Sequence, residues 1–585
     1  MKAVELVQTF GLEPKSGTVT GGAAHATRWR GRAVICVGIA VTVAVGFLHL
    51  LFLRSAGALW RDEVGGIHLA CLPTWNETWQ MLGRDSFPVL FPAVVRGWSW
   101  LGLGATDGDL RLLGFLIGLG CLGALWVNAR LTGVRVPWLG LGLLGANVAM
   151  IRWGDSLRAY GLGSLLIILT VGLLWRVCQK PERNSFLLAA AAACLAVQTL
   201  YQNAFLVLAA CLAGCAVCLR RKQWRTMALV LGVGMAAAVS LVPYANLVIR
   251  AQDWAVIAKV GFQPVRVWTN LKIALGATSS WPLWIWAALV LCALVAPLQA
   301  LYRERKGIPA DAADLPLFTA VALVCGVAGF VVFLYLAALP TEPWYFLPLM
   351  AFVVAAMEGG LGRWSARVHW PVAAVATCLV GALFPAAFEG VEARQTDVDL
   401  VAAQLERSTE PGDLILVYPC HAGISFNRYY SGPAVWCTFP DLPDFQFHRY
   451  DLLKEKLASS DPLAKVFQRA GRTLAAGGRV WIVGQLPWPR AGAVERAMPP
   501  PAPRPHVANG WRADWYDYEW ARQLAFWLKA HADRVQLTRL SFPAKISAYE
   551  DLPLVEAAGW RGSPEPKDST GRPDARSVVS VLDAP

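Results

Sequence analysis

The sequence predicts a polytopic α-helical membrane protein with about eleven spans, followed by a separate α/β domain in its last third. Three observations carry that expectation. Of the 585 residues, 56% are hydrophobic and mean hydropathy is +0.44, an apolar share above that of a typical soluble globule. The apolar residues also fall in blocks of roughly 17–25, the length that crosses a hydrocarbon core of about 30 Å at about 1.5 Å per helical residue. Finally, the blocks stop near Phe388 and ordinary mixed sequence follows.

The blocks cover 33–53, 110–128, 137–152, 157–176, 185–201, 203–219, 226–248, 281–300, 315–338, 344–360 and 368–388. Residues 1–32 form a tail with Lys2, Lys15, Arg28, Arg30 and Arg32. The block after it is long for a signal sequence and lacks a clear cleavage site, so it is expected to stay as an anchor. With the N-terminus cytoplasmic, the inward connections hold Arg130 and Arg135; Arg176, Lys180 and Arg183; Arg220, Arg221, Lys222 and Arg225; Arg303, Arg305 and Lys306; and Arg363 and Arg367. Every inward connection is therefore basic, as the positive-inside rule requires. This explains the formal charge of +13 without nucleic acid, the usual partner of a basic soluble protein.

Segment 87–104 is apolar but is broken by Pro88, Pro92 and Arg96. If it spanned, all the basic loops downstream would move outside, so it is expected to be an interfacial or re-entrant helix with Trp98 and Trp100 at headgroup level. The first outer loop then runs over 54–109, within a membrane domain of 33–388.

An odd number of spans puts everything after Phe388 outside the cell. There PGDLILVYP (411–419) and GGRVWIVGQ (477–485) read as buried strands, between helical stretches near 398–408 and 461–476, giving an extracytoplasmic α/β domain over 389–560. The run PPPAPRP (499–505) is a stiff linker or surface loop, and 561–585 has the composition of a disordered tail. Of thirteen cysteines, ten lie in or beside apolar blocks as small packing residues. Cys71 falls outside them, as do Cys420 and Cys437, which could form a disulfide in an exported domain.

Candidate chemistry collects on the outer side. LWRDEVGGIHLA (59–70) places Asp62 and Glu63 beside Arg61; adjacent acids there can supply a general base, or can simply be solvated charges at a helix end. RWGDSLRAYGLG (152–163) brings Arg152, Asp155, Arg158 and Tyr160 into the start of a span, which suggests a lined cavity. Facing it are Tyr201, Gln202 and Asn203, the loop 249–280 with Arg250, Lys259, Arg266 and Lys272, and TEPWYFLP (341–348) with Glu342 and Tyr345. Cations there can hold a phosphate or can attract anionic lipid headgroups.

Three familiar signals are excluded. GLGLLG (140–145) fits a dinucleotide pattern but sits inside an apolar block. The eight histidines lack ligand spacing, so no protein-held metal is expected. No P-loop is present to couple the chain to ATP.

These motifs together resemble the membrane-embedded C-type glycosyltransferases, specifically the family of protein O-mannosyltransferases and bacterial lipid A aminoarabinose transferases, over roughly residues 30–360. The family's Asp-Glu pair soon after the first helix is matched by Asp62 and Glu63. Its D-x-H-P-P-L-like segment stands here as DSFPVL (85–90), with Phe87 in place of the histidine and Val89 in place of the second proline. Its E-A-R-P-Y motif is similar to DSLRAY (155–160), with one extra residue between acid and arginine.

The resemblance implies the C-type glycosyltransferase fold in the cytoplasmic (inner) membrane. It also implies a hexosyl- or pentosyltransferase that takes its sugar from a polyprenyl phosphate and passes it, with inversion, to a protein, lipid or glycan acceptor at the outer face. Asp62 would be the general base and Glu63 would orient the acceptor or a cation. Arg158, Tyr160 and one of Lys259, Arg266 or Lys272 would bind the lipid phosphate, with Asp85, Asp155, Tyr201, Asn203, Glu342 and Tyr345 lining the cavity. No cofactor is implied, though a divalent cation beside the acidic pair is compatible with it. Two competing readings are a transporter of lipid carriers or polysaccharide, which would need polar residues through the midplane of several spans, and a non-catalytic assembly protein whose exported domain binds a partner.

Overall fold

The computed structural model describes residues 21–562 apart from 86, 254–255, 277–279, 305–312, 366–368, 491, 495, 503–512 and 539–544. The first twenty residues of the tail, the last three residues of the proline-rich run and the C-terminal tail from 563 lie outside the described residues.

Among the described residues, nine helices are long and apolar enough to cross a membrane: Arg32–Ser55, Asp107–Leu131, Ala159–Gln179, Asn203–Arg221, Trp224–Arg250, Ser280–Tyr302, Asp314–Ala337, Pro343–Gly362 and Trp370–Glu392. Their outward faces carry exposed Val43, Phe47, Leu231, Met235 and Leu291, the kind of surface that lipid tails cover. Two of the eleven expected spans are different. Block 185–201 is a helix of only 15 residues, Arg183–Val197.

Block 137–152 is not one helix but three pieces, Trp138–Gly140, the π-turn Leu141–Gly145 and Val148–Gly154. The breaks are stabilised by polar side chains that take up freed backbone groups, as a low-dielectric setting demands. Glu358 accepts the Gly140 N–H at 2.8 Å. Asn147 caps the last piece by accepting from Met150 N at 2.8 Å and donates its amide to Ala274 O at 2.9 Å.

The segment expected to be interfacial holds an 11-residue helix, Leu90–Trp100, about 16 Å long at about 1.5 Å per residue and too short to span. Its Arg96 is buried and donates to Ala70 O (2.7 Å), Leu72 O (2.6 Å) and Thr78 Oγ1 (2.9 Å). The residue that interrupts the apolar pattern thus binds this helix to the loop before it.

After the last long helix comes a five-stranded mixed sheet, ordered β2-β1-β3-β5-β4, with β1 Leu414–Val417, β2 Val435–Thr438, β3 Val480–Val483, β4 Arg534–Thr538 and β5 Leu554–Ala558. β2, β1 and β3 run parallel; β5 is antiparallel to β3 and to β4. The two-residue alternation of strands divides β1 between two cores. Leu414 and Leu416 pack with helices Ala464–Ala475 and Ala513–His531, while Ile415 and Val417 pack with Val398–Ser408. Burial on both faces explains why β1 and β3 read as continuous apolar runs.

Cys420 and Cys437, which could have formed a disulfide, are free thiols. Cys437 lies opposite Leu416 in the β1–β2 ladder, and Cys420 lies beyond the end of β1, so the two are out of register.

This sheet unit sits directly on one end of the helical bundle. Arg152 ties the end of the last long helix, through Gly390 O and Ala393 O at 2.7 Å, to the segment that leads into the sheet unit, through Gln395 Oε1 at 2.5 Å. Tyr429 donates to Asp107 at 2.6 Å and accepts from Leu59 N at 2.7 Å.

Candidate functional site

Asp62 and Glu63 occupy the first turn of helix Arg61–Ala70, where carboxylates complement the helix dipole. Neighbouring helical residues point about 100° apart, and here that separates their roles. Glu63 is fully buried. It accepts from Arg111 Nη1 at 2.6 Å and Nη2 at 2.8 Å, from Leu157 N at 2.9 Å and from Trp60 N at 3.2 Å. Both Glu63 carboxylate oxygens are thus engaged by donors within the protein.

Asp62 keeps 18% of its side chain exposed. Its Oδ1 lies 3.1 Å from His448 Nε2 and 3.7 Å from Arg61 Nε, and no hydrogen bond engages Oδ2 among the described residues. Arg158 links the two acidic motifs, donating from Nη1 to the Asp62 carbonyl at 2.9 Å and to Asp85 Oδ1 at 2.6 Å. Its buried Nε has no hydrogen-bond partner among the described residues. Phe87 lies 4.6 Å from the Arg158 guanidinium carbon and meets Tyr160 edge-on at 5.3 Å. Tyr160 in turn stacks on Tyr345 at 5.8 Å. The ring supports Arg158 by a cation–π contact.

The two acids of this cluster are pushed in opposite directions. Burial acts to raise the Asp62 pKa, but the His448 hydrogen bond and the charges of Arg158, His448 and Arg61 outweigh it and hold the carboxyl well below the usual carboxylate range. For Asp85 burial prevails over Arg158, so its pKa is raised. Such a split separates an ionised carboxylate from a more readily protonated one.

Of the remaining expected residues, Glu342 pairs with Arg266 at 2.6 Å. Both border an open groove of about 640 Å³ whose wall also includes Phe262, Pro264, Val265 and Asn270. Lys259 donates to Ala337 O at 2.6 Å; burial alone lowers its pKa, to about 8. Lys272 is half-buried and does not border the groove.

Three residues do not enter the cluster as expected. Asp155 pairs with His49 at 2.7 Å in a sealed contact, packed so closely that a Cβ on Gly118 would come within 2.0 Å of its Oδ1. The buried Asn203 donates to Gly163 O and Ala196 O. Tyr201 packs edge-on against Tyr244 at 5.9 Å. All three give their polar groups or rings to helix packing.

The sheet unit contributes residues that sequence reasoning missed. His448 reaches Asp62, Tyr450 stacks on His448 at 5.8 Å, and His421 lies 6.4 Å from it. Burial first, then Arg61 and His448, keeps the His421 pKa well below normal. Glu550 accepts from Arg61 N at 3.1 Å and Nη1 at 3.2 Å. The dense aromatic and charged run DFQFHRYD (444–451) is the local signal that could have found this face. Among the described residues, no group of three or more His, Cys, Asp or Glu is placed to hold a metal ion.

No family profile matches the sequence, and no curated protein matches it. Among solved structures, the chain is similar to the oligosaccharyltransferase of Archaeoglobus fulgidus in two crystal forms. Against the complex with Zn and sulfate the TM-score is 0.41 at 10% identity, covering 76% of this chain and 68% of that one. Against the form tethered by a disulfide bond to an acceptor peptide containing the NVT sequon it is 0.41 at 9% identity, covering 76% and 69%.

Proposed function

We propose that this chain is a multi-pass membrane glycosyltransferase of the C-type architecture, with its N-terminus cytoplasmic and its sheet domain at the outer face. It moves a hexose or pentose from a polyprenyl-phosphate donor to a hydroxyl or amine on a protein, lipid or glycan. The observation that carries this reading is the meeting of Asp62, Asp85 and Arg158. Residues from three motifs separated in sequence converge at one end of the bundle, and the buried Arg158 Nε has no partner among the described residues. A buried donor without a partner carries a desolvation cost unless a ligand takes it up, and a phosphate oxygen suits a guanidinium.

In this reaction the acceptor attacks the anomeric carbon while Asp62 takes its proton, and the bond to phosphate breaks with its electron pair leaving on the phosphate. Attack opposite the leaving group inverts the anomeric centre. Arg158 stabilises the charge that develops on the departing phosphate. The groove beside Arg266, with Phe262, Pro264 and Val265 in its wall, offers an apolar surface next to a cation, which suits a lipid with an anionic head.

The test is transfer by purified protein from defined polyprenyl-phosphate sugars to peptide, lipid and glycan acceptors. The reading predicts a product of inverted anomeric configuration. Translocation of donor lipid across vesicles with no product from any pair would favour the transporter reading instead.

A further inference from the structure

His448 lies 386 positions along the chain from Asp62, yet the segment that carries it is fixed in place at several points. Arg84 of the loop after the first long helix forms a two-pronged pair with Asp451 at 2.9 and 3.2 Å. His68 shares a hydrogen bond with Gln446 O at 3.0 Å. Arg449 binds both Asp444 and Asp451, and Arg61 binds Glu550. The imidazole itself stacks on Tyr450 with planes 14° apart. This network holds His448 against Asp62 from the far side of the cluster, while Arg158 holds the Asp62 backbone from the bundle.

We propose that His448 is a positioning residue of the transfer reaction: the sheet domain uses it to fix Asp62 Oδ1, so that Oδ2 is free to receive the acceptor's proton. This rests on the reading of Asp62 as proton acceptor. The acceptor O–H or N–H proton goes to Oδ2 as its lone pair bonds to the anomeric carbon and the phosphate leaves with the old bonding pair. His448 exchanges no proton in this step. Its hydrogen bond selects one carboxylate rotamer and favours the ionised form of Asp62. The groups facing this contact are Arg61 beside Asp62; Arg158, Asp85 and Tyr160 across it; Glu342 and Tyr345 of the 341–348 segment; His421 after β1; and Tyr450 on the His448 segment itself. The sheet domain is thereby part of the catalytic centre rather than an accessory.

The test compares full-length wild type, His448→Ala, His448→Gln and Asp62→Asn in detergent or nanodiscs, with unfolding temperature as the control for folding. His448→Ala is expected to lower kcat about tenfold to a hundredfold, the range of a hydrogen bond to a charged group, with little change in donor KM. Without that hydrogen bond the Asp62 carboxyl keeps its proton to higher pH, so the acid limb of the kcat profile moves up. His448→Gln retains an N–H donor and is expected to recover much of the rate. Wild-type kcat and an unshifted acid limb in His448→Ala would overturn the inference. So would equal losses in both His448 variants without a shift, since that outcome assigns His448 to domain docking alone. Full activity in Asp62→Asn, or no transfer by the wild type, would instead remove the underlying reading.

Discussion

Arg111 holds Glu63 through both terminal nitrogens, with side chains only 3% and 0% exposed. Breaking such a pair leaves a charge buried without its partner, at a cost of about 3–5 kcal/mol. Glu63→Gln is therefore expected to lower the unfolding temperature of the purified protein by several degrees. Replacing both residues by leucine should recover part of the loss, because no unpaired charge remains. A Glu63→Gln protein that unfolds like wild type but transfers no sugar would return Glu63 to a direct role in the reaction.

Arg158→Lys keeps the charge but replaces a planar fork with a point donor. An ammonium in the place of Nη1 could serve the Asp62 carbonyl and Asp85 but would leave no donor at the separate position of Nε. A fall in kcat/KM of about a hundredfold is expected in steady-state assays with a polyprenyl-phosphate sugar, with donor KM raised. An unchanged KM would move the phosphate away from Arg158.

Lys259 provides a pH signature. Its folded pKa of about 8 lies below the ordinary lysine value of about 10.4, so between these limits the unfolded chain binds more protons. Stability from this group therefore rises with pH across that window, and the penalty for burying its charge is complete below about 8. Lys259→Met is expected to raise the unfolding temperature relative to wild type at pH 7, and the difference should shrink by pH 10. A difference that stays constant with pH would show that Lys259 is not desolvated.

Much of the helical architecture was legible because hydrophobic length is a collective signal that single residues cannot obscure. Segment 137–152 misled for a local reason: Glu358 and Asn147, one of them more than two hundred residues away, satisfy the backbone where the helix breaks. Asp62, Asp85, Arg158 and Tyr160 were legible as a group because short motifs mark them. The sealed Arg111–Glu63 pair was not, since it depends on which of two adjacent acids faces Arg111. The run around His448 is dense in aromatic and charged residues, but its pairing with Asp62 was not legible, because it is a tertiary contact between two units that carry separate sequence signals.

The central claim is that Asp62 takes the acceptor's proton at a site shared by the bundle and the sheet domain. The most direct measurement is the single-turnover rate of Asp62→Asn with a polyprenyl-phosphate sugar, alongside wild type and with insertion and unfolding temperature matched. A general base contributes about a hundredfold to ten-thousandfold, so the account predicts a loss of that size with donor still bound. Transfer at the wild-type rate would contradict it.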